Sequence, residues 1–338
     1  QNLNAKSRVS LIVIAYKNKI PVFLYGGTER VLWALGKELT KQGHEVTFLV
    51  GEGSTCDFAK VIIIQQDIPI LEQVPRDTDV VHFNFQPEGL NTFDIPYVIT
   101  MHGNINKHHK FDKNIIFVSE NHAARYNSKS FVHNGMDWDE YAQPNLKQPR
   151  DYFHFLGKAA WRIKNVQGAI DIINESKSER LKVLGGVRFN FNMGMRFTFS
   201  PKISFAGMVG STKKTDLLNK SKGLIFPIKW HEPFGIAITE SLFYGCPVFA
   251  TPYGSLPEIV TKEFGFLSNN KEELKTAIAN ADAYSKQKCY EYARDEFNSL
   301  KMSYEYLNKY NQVINGTPLN EEAPDLVRIQ KEKYLEWK

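Results

Sequence analysis

The sequence predicts an α/β protein with two domains, each built on a doubly wound parallel sheet. Three observations carry that prediction. Short runs rich in Val, Ile and Phe alternate with amphipathic helical patterns in both halves of the chain. A polar stretch that contains proline, residues 145–151 (NLKQPRD), separates the two alternating halves as a linker would. At 338 residues the chain is long enough for two domains that each bury a core.

Six apolar runs in the first half have the length and composition of strands that are buried on both faces. Between the first two runs, residues 28–42 repeat apolar side chains at four-residue spacing and stop at Gly43, which is typical of an amphipathic helix. This strand, helix, strand order favours parallel pairing. The six runs are residues 11–15, 46–50, 61–64, 80–85, 97–101 and 115–119.

The same alternation restarts after the linker and predicts a second parallel sheet. Two helices are expected to begin at Asn165 and Gly235. From residue 271 onward the sequence changes to a helical pattern rich in Tyr, Lys and Glu. The predicted strands of this half are residues 153–156, 181–184, 203–206, 224–226 and 247–250.

Composition and charge limit the function classes that fit this chain. Its 42% hydrophobic and 23% charged residues are values of a globular protein. The net charge of +5 suits an anionic substrate or an acidic membrane surface and gives little support for nucleic-acid binding. No apolar run reaches spanning length, the polar start QNLNAKSRVS does not resemble a signal peptide, and the cysteines lack metal-binding spacing. We therefore expect a reduced, cytoplasmic protein with weak peripheral contact at the inner face of the membrane.

The most informative segment is residues 227–258, in which Glu232 and Glu240 lie on either side of a Pro-Phe-Gly turn. The turn leads into a helix-competent run, so its backbone N–H groups and the helix dipole favour an anion at that point. A phosphate would repel the carboxylates, which instead accept hydrogen bonds from hydroxyl groups. Phosphate on the amides with hydroxyls on both flanks indicates a bound sugar nucleotide.

Residues 232–248 read EPFGIAITESLFYGCPV and resemble the donor-binding signature of retaining GT-B fold glycosyltransferases, the family 4-like group or glycosyl transferases group 1. Ser241 stands where that family usually has Ala. The resemblance implies the GT-B architecture, in which two Rossmann-like domains face a cleft. We expect residues 1–148 to form the acceptor-side domain and residues 149–318 the donor domain. The resemblance also implies a last helix, at about 319–338, that packs back on the first domain.

The same resemblance implies roles around the nucleotide sugar. Glu240 is expected to accept hydrogen bonds from the ribose, and Glu232 is expected as a catalytic residue that accepts from the transferred sugar. Retention would follow from front-face displacement, in which a departing phosphate oxygen helps to take the acceptor proton and no protein nucleophile is needed. The diphosphate is expected on backbone amides of Phe234, Gly235, Ile236 and Ala237.

Two further elements follow predicted strands of the first half. Gly26 and Gly27 lie between the first strand and its helix, where paired glycines let backbone amides approach a phosphate or a sugar closely. Residues 25–30 resemble the family's GG-x-E-R-V element, which faces the donor across the cleft. His102 follows the strand at 97–101 and resembles the family's T-x-H-G element, so we expect it as a catalytic residue near the transferred sugar and the acceptor.

Lys158, Arg162 and Lys164 follow the first strand of the second half, where cations can reach a diphosphate at the carboxyl end of a parallel sheet. The family usually has Gly-Arg at the first of these positions, so Lys158 keeps the charge but loses bidentate geometry. The sequence leaves open whether Arg162 or Lys164 supplies the second cation.

Two motifs that could be mistaken for metal sites are interpreted as structural, and no metal is expected. Asp77-Thr78-Asp79 precedes a strand, which is the wrong end of a parallel sheet for a ligand site, and is expected to cap that strand. His108 and His109 lie in a basic polar stretch without a carboxylate pair for a metal. A solvated loop is expected there, with contact to an acidic acceptor or a membrane surface as the alternative.

The whole sequence predicts a metal-independent glycosyltransferase of hexosyl or N-acetylhexosaminyl type, without a cofactor and with a UDP-sugar as the first expected donor. The acceptor would be a glycan, a lipid-linked saccharide or a small molecule. Three alternatives stay open. A GT-B-fold UDP-sugar epimerase would need no acceptor, a nicotinamide-dependent oxidoreductase is disfavoured by the missing G-x-G-x-x-G, and a non-catalytic sugar-nucleotide binder would show no turnover.

Overall fold

The computed structural model describes residues 9–21, 26–191, 193 and 195–338, and these residues form two compact units. The first unit contains the described residues up to 137 together with 298–329, and the second contains 138–297 and 330–338. Each unit has one six-stranded sheet in which all pairs of neighbouring strands are parallel. The predicted α/β class with two parallel sheets is therefore confirmed. Tyr25, which belongs to a predicted motif, lies outside the described residues.

The sheet of the first unit has the strand order β3-β2-β1-β4-β5-β6, so the order reverses between β1 and β4. In an open α/β sheet the carboxyl ends of the strands on either side of such a reversal form the crevice that binds ligands. The strands are β1 (Leu11–Tyr16), β2 (Glu45–Val50), β3 (Lys60–Ile63), β4 (Val80–Phe83), β5 (Tyr97–Thr100) and β6 (Ile115–Ile116).

The sheet of the second unit has the order β11-β8-β7-β12-β13-β14, and its reversal lies between β7 and β12. A separate antiparallel pair, β9 with β10, stands outside this sheet. The strands of this unit are β7 (Tyr152–Leu156), β8 (Leu181–Leu184), β9 (Phe189–Asn190), β10 (Arg196–Phe197), β11 (Ile203–Gly207), β12 (Ser221–Phe226), β13 (Val248–Ala250) and β14 (Gly265–Leu267).

Helices flank both sheets and are mostly short. Within the residues described here, no helix is both long enough and apolar enough to cross a membrane. The helices are α1 (Gly27–Lys41), α2 (Glu120–Arg125), α3 (Val166–Glu175), α4 (Ser211–Asn219), α5 (Ile236–Phe243), α6 (Leu256–Ile259), α7 (Lys271–Ile278), α8 (Lys286–Glu296) and α9 (Ser299–Ile314).

The last helix, α9, is fixed to the first sheet by a buried polar chain. His82 of β4 is fully buried, with Nδ1 2.8 Å from the Tyr310 hydroxyl and Nε2 2.7 Å from the Thr100 hydroxyl. The Tyr306 hydroxyl lies 3.1 Å from the same Thr100 oxygen. Burial lowers the pKa of His82 to about 3, so the imidazole is neutral near pH 7 and both of its nitrogens have partners.

The C-terminal segment differs from the predicted helix at about 319–338. The structure describes this segment in full and has bends and irregular backbone there, while α9 is the helix that packs against the first sheet. Pro324 lies within the segment, and proline removes a backbone donor and opposes helix formation. The carbonyl of Pro324 accepts from the Phe111 amide at 2.8 Å, which ties the segment to the first unit.

The two units divide between residues 137 and 138, ahead of the division predicted after 148. Trp138 stacks on Phe243 of α5 with 4.2 Å between ring centroids, and Tyr141 packs edge-on against the same ring at 5.9 Å. The polar linker at 145–151 directly precedes β7, but the aromatic residues before it already pack in the core of the second unit.

Candidate active site

The reversal of strand order in the second sheet brings together two of the predicted elements. The loop after β7 carries Lys158, and the loop after β12 carries Glu232. Close backbone packing shapes this edge, because a Cβ atom on Gly185 would lie 2.1 Å from the carbonyl oxygen of Gly157. Gly185 also has a φ of +108°, so a side chain there would be strained as well as crowded.

Lys164 and Glu232 form the central contact of this site. Lys164 Nζ donates to Glu232 Oε2 at 2.6 Å, and the two side chains are only 10% and 8% exposed. The indole Nε1 of Trp230 donates to the same oxygen at 3.0 Å, and its ring lies 4.7 Å from Lys164 Nζ. Two donors therefore fix the carboxylate that was expected to be catalytic, and a buried cation compensates its charge.

The position of Lys164 is set by the turn that follows it. Residues Arg162–Lys164 form a 3-10 turn, and Asn165 then adopts a left-handed conformation with φ +53°. The Asn165 side chain accepts from the Gly168 amide and so caps α3, while its Nδ2 donates to the carbonyl of Pro227 at 2.8 Å. This asparagine ties the basic loop to the chain after β12.

Arg162 and Lys164, which the sequence left as alternatives for the second cation, have different partners in the structure. Arg162 Nε donates to the carbonyl of Met193 at 3.1 Å, whereas Lys164 pairs with Glu232. Lys158 is exposed, with its ammonium 5.2 Å from the ring of Trp161. Of these three cations, Lys164 is therefore the one that contacts the glutamate segment.

The segment that follows β13 forms hydrogen bonds to the backbone of the Pro-Phe-Gly turn. Ser255 N donates to the Glu232 carbonyl at 2.9 Å, and Ser255 Oγ donates to the Phe234 carbonyl at 2.6 Å. A Cβ atom on Gly254 would lie 2.2 Å from the Glu232 carbonyl oxygen, so only glycine fits there. Phe234 itself is buried and packs against Phe297.

Helix α5 begins directly after this turn. Gly235 is its N-cap with φ +89°, and glycine brings no side chain to cap the first turn. The first amides of a helix lack intrahelical acceptors, and the dipole favours an anion beside them. Ile236 and Ala237 are partly exposed, so the amide end of α5 keeps the access that the predicted diphosphate contact requires.

Glu240 lies one turn further along α5 and is bound by two donors that the sequence did not indicate. Lys214 Nζ of α4 donates to Glu240 Oε1 at 2.6 Å, and the Tyr141 hydroxyl donates to the same oxygen at 2.8 Å. The lysine and glutamate side chains are 7% and 6% exposed. The carboxylate is therefore held as a buried ion pair, and Oε1 already accepts two hydrogen bonds.

His102 lies at the carboxyl end of β5 in the first unit, as predicted. Its Nε2 is 2.7 Å from Asn84 Oδ1, and Asn84 Nδ2 donates to the Ala15 carbonyl at 3.3 Å. Because the amide nitrogen faces Ala15, its oxygen faces the histidine, so Nε2 carries the proton and Nδ1 is the acceptor. Burial lowers the pKa of His102 to about 4.

The loop after His102 is held by a second histidine. His122 of α2 has Nε2 3.0 Å from the Gly103 carbonyl, while its Nδ1 accepts from the Val118 amide at 3.4 Å. Burial lowers the pKa of His122 to about 3, so it acts as a neutral donor at Nε2. No signal in the sequence distinguished this structural histidine from a functional one.

The glycine pair of the first unit begins α1. Gly26 is the N-cap and Gly27 the first helical residue, and the Gly26 carbonyl accepts from the Arg30 amide at 3.4 Å. Glu29 in the first turn accepts from the Tyr16 hydroxyl at 2.9 Å, which links the helix start to the end of β1. The pair thus lies at the start of α1, with Gly27 already inside the helix.

The two motifs interpreted as structural have structural contacts. Asp79 Oδ2 accepts from the amides of Ser10 and Leu11 at 2.7 and 2.8 Å, as a strand cap does. His108 lies 3.5 Å from Asp325, and the His109 amide donates to the same carboxylate at 2.8 Å. The basic stretch is thus attached to the C-terminal segment within the first unit.

Part of the chain that carries this site matches a known protein family. Residues 137–296 match the family described as glycosyl transferases group 1, so the match covers the loops after β7 and β12 and all of α5. One curated relative, the uncharacterized 41.2 kDa protein in the cps region of Klebsiella pneumoniae, is 29% identical over 94 residues. That match spans 26% of this chain and 26% of the relative, so the chain covers about a quarter of its length.

Solved structures agree with the fold over most of the chain. The glycosyltransferase AviGT4, involved in avilamycin A biosynthesis, gives a TM-score of 0.73 at 18% identity and covers 91% of this chain and 99% of its own. Sucrose-phosphate synthase from Thermosynechococcus elongatus gives 0.70 at 15% identity, with 91% and 100% covered. HepE from Anabaena, solved with UDP and glucose, gives 0.63 at 15% identity, with 88% and 98% covered. The architecture of two parallel sheets is thus the GT-B fold.

Proposed function

We propose, from the premise that this chain has the GT-B fold and that its residues 137–296 form a glycosyl transferases group 1 domain, that it transfers a sugar from a nucleotide-diphosphate sugar to an acceptor hydroxyl. The observation that carries the proposal is the buried Lys164–Glu232 pair beside the amide end of α5, at the reversal of strand order. A fixed cation, the partly exposed amide end of α5 and a fixed carboxylate lie together, and this combination suits a diphosphate next to a sugar.

The diphosphate is assigned to the amides that begin α5, with Lys158 and Lys164 as its cations. A lysine ammonium has three donors, so Lys164 can bond to Glu232 and to a phosphate oxygen at the same time. Arg162 is left out of this assignment because its guanidinium bonds to Met193. The charge that develops as the diphosphate departs would meet preorganised donors, and such electrostatic stabilisation is usually the largest catalytic contribution.

Glu232 and Glu240 are assigned to hydroxyl groups on the two sides of the diphosphate. Glu232 would accept from the transferred sugar while Trp230 and Lys164 keep its orientation. Glu240 would accept from the ribose hydroxyls while Lys214 and Tyr141 hold its carboxylate through Oε1. A UDP-sugar is the first donor to test, since HepE, which has the same fold, was solved with UDP and glucose.

The proposed reaction is retaining, independent of metal and without a protein nucleophile. A departing phosphate oxygen would take the acceptor proton on the same face of the sugar. His102 is assigned to the acceptor side on the first unit, where its Nδ1 accepts a hydrogen bond from a hydroxyl group. Its low pKa of about 4 keeps the imidazole neutral at the pH of the cytoplasm, where we place the reaction.

The test is a titration of the full chain with UDP-, GDP-, ADP- and dTDP-sugars, followed by transfer assays with the donor that binds. Proton NMR of the product gives the anomeric configuration at the new bond. A product with inverted configuration would contradict the retaining proposal. Turnover of the donor to an epimer without acceptor would favour the epimerase alternative, and tight binding without turnover against any acceptor class would favour a binding protein.

A further inference from the structure

A surface of the second unit carries an unusual exposed apolar patch. Its side chains, which we call the aromatic ribbon, belong to β9, β10 and the residues next to them, and each is between 47% and 79% exposed. The rings touch one another, with Phe189 and Phe197 centroids 6.0 Å apart and Phe191 and Phe197 centroids 5.5 Å apart. The aromatic ribbon consists of Phe189, Phe191, Met193, Met195, Phe197 and Phe199.

Along the aromatic ribbon the apolar side chains face outward and the polar side chains face the protein, which is the reverse of an ordinary surface strand. The polar residues face the protein: Arg188 donates to the Thr198 carbonyl at 2.8 Å, and Arg196 donates to the Thr198 hydroxyl at 3.1 Å. Both guanidinium groups also lie over the ring of Phe205 in the edge strand β11, at 5.9 and 5.1 Å. A strand with one face in water normally turns its polar side outward, so the outward apolar side requires an explanation.

Contiguous apolar patches of this kind on soluble proteins mark sites of interaction with proteins or membranes. The charge around the aromatic ribbon helps to decide between a protein partner and a membrane. Residues 180–215 contain seven Lys and Arg and no Asp or Glu, and six of the seven remain as surface charge, because Lys214 is buried in its pair with Glu240. Arg162 brings a further cation from the basic loop, since it donates to the carbonyl of Met193 within the aromatic ribbon. The patch is thus apolar at its centre and cationic in its surroundings.

That combination fits an anionic bilayer better than a second copy of the chain. Two copies related by a two-fold axis would place like patches together, and their cations would face one another without acidic partners. At a bilayer, Phe and Met side chains enter the boundary between headgroups and acyl chains while Lys and Arg attract anionic lipids. We infer that the aromatic ribbon docks the second unit on an anionic membrane surface.

The test is sedimentation of the full chain with phosphatidylcholine vesicles, with and without phosphatidylglycerol, in the absence of any nucleotide sugar. Binding is expected with the anionic vesicles and is expected to weaken as salt rises, because screening removes the attraction of the cations. No donor or acceptor is involved, so the outcome does not depend on the proposed transferase activity. Absence of binding to anionic vesicles would overturn the inference.

The variant Phe191→Ser/Phe199→Ser removes the two most exposed rings of the aromatic ribbon, at 69% and 79% exposure. We expect its partition onto anionic vesicles to fall by about tenfold or more, because the lost apolar area no longer leaves water. The matched control is Leu300→Ser/Tyr304→Ser on α9, which removes two exposed apolar side chains elsewhere and should bind as the parent does. Equal binding by the ribbon variant and the parent would contradict the inference.

Two further measurements test whether the ribbon enters the bilayer and whether it binds a second copy of the chain instead. Phe191→Trp keeps an aromatic side chain at the ribbon, and brominated lipid should quench its fluorescence beyond the quenching seen for the parent. Unchanged quenching would place residue 191 outside the bilayer and contradict the inference. Analytical ultracentrifugation without lipid tests self-association: a dimer that Phe191→Ser/Phe199→Ser dissociates would mean that the ribbon binds a second copy instead.

Discussion

Lys164 and Glu232, 68 residues apart in sequence, are joined by a 2.6 Å hydrogen bond between Nζ and Oε2 that is almost closed to solvent. The pair links the basic loop after β7 to the glutamate segment after β12. It therefore connects the two loops that flank the reversal of the second sheet. Either charge alone would be costly at this depth, since a buried ion without its partner is not compensated by water.

The first prediction concerns the stability of this pair. Lys164→Met should lower the free energy of unfolding by about 3–5 kcal/mol, because it leaves Glu232 charged and buried, with Trp230 as its remaining side-chain donor among the residues that the structure describes. Lys164→Met/Glu232→Gln should recover part of that loss, since neither charge remains. Guanidinium denaturation of the parent, both single variants and the double variant gives the coupling energy. Additive losses in the double variant would show that the two side chains do not stabilise one another.

The second prediction concerns nucleotide binding by Glu240. Glu240→Ala should weaken the affinity for the free nucleotide diphosphate by on the order of 1.5–3 kcal/mol, because hydrogen bonds to a charged acceptor are lost. Calorimetry measures the change. Glu179→Ala is the matched control, since Glu179 also pairs with a lysine of the second unit, Lys222 at 2.8 Å, but is not assigned to the ribose. Equal affinity in Glu240→Ala and the parent would remove Glu240 from the site.

The third prediction concerns His102. His102→Ala should reduce turnover by on the order of a hundredfold or more, the scale of a positioned catalytic group. Its affinity for the nucleotide alone should barely change, because the proposed nucleotide ligands belong to the second unit. Paired transfer assays and calorimetry test this, with His108→Ala as the control on an exposed histidine. A large loss of nucleotide affinity in His102→Ala would mean that the donor site is assigned to the wrong residues.

The partner of His102 offers a separate, fourth prediction. In the parent the pKa of His102 is about 4, so the transfer rate should show no loss from its protonation between pH 6 and 8. Asn84→Asp places a carboxylate beside Nε2 and should raise that pKa by stabilising the imidazolium. The acid limb of the pH–rate profile should then move toward neutral pH. An unmoved profile in Asn84→Asp would exclude a neutral His102 from the rate-determining step.

The fifth prediction concerns stability in acid. Burial lowers the pKa of His154 from 6.5 to about 3, so the unfolded state binds more protons than the folded state between these values. The stabilisation is complete above about pH 6.5 and is lost as the pH falls toward 3. His154→Gln should make this loss shallower by about 1.4 kcal/mol per pH unit. Denaturation at pH 7 and pH 5 tests it, with His44→Gln, at a partly exposed histidine, as the control.

Much of the fold could be predicted because its signals are local. Runs of buried strands and the helix at α1 follow from residue type and spacing within a few positions, so both sheets were expected. The location of Gly26 and Gly27 at the start of α1, and of His102 after β5, needed only the order of strand, loop and helix. The Glu232 to Val248 segment was recognisable because its characteristic residues are contiguous in the sequence.

The predicted helix at 319–338 failed for a reason that is also physical. Lys, Glu and Tyr in that segment have fair helix propensity, but propensity is a weak signal when tertiary contacts compete with it. Asn320 Nδ2 donates to the carbonyls of Lys113 and Ile115, so the segment satisfies its polar groups through the first sheet instead. The helix that packs there, α9, precedes it and is fixed by Tyr306 and Tyr310.

The sequence by itself determined the class of fold, the glutamate segment and the candidate cations, because each depends on neighbours along the chain. Only the tertiary structure decided which cation meets Glu232, since Arg162 and Lys164 differ by two positions in a turn and point to different partners. The donors to Glu240 come from Lys214, 26 residues away, and Tyr141, 99 residues away, and no local pattern links them. Apolar and polar residues alternate along the aromatic ribbon, but a period of two cannot say which face meets the protein. That choice is made by packing, where Arg188 and Arg196 cover Phe205 and leave the aromatic side outward.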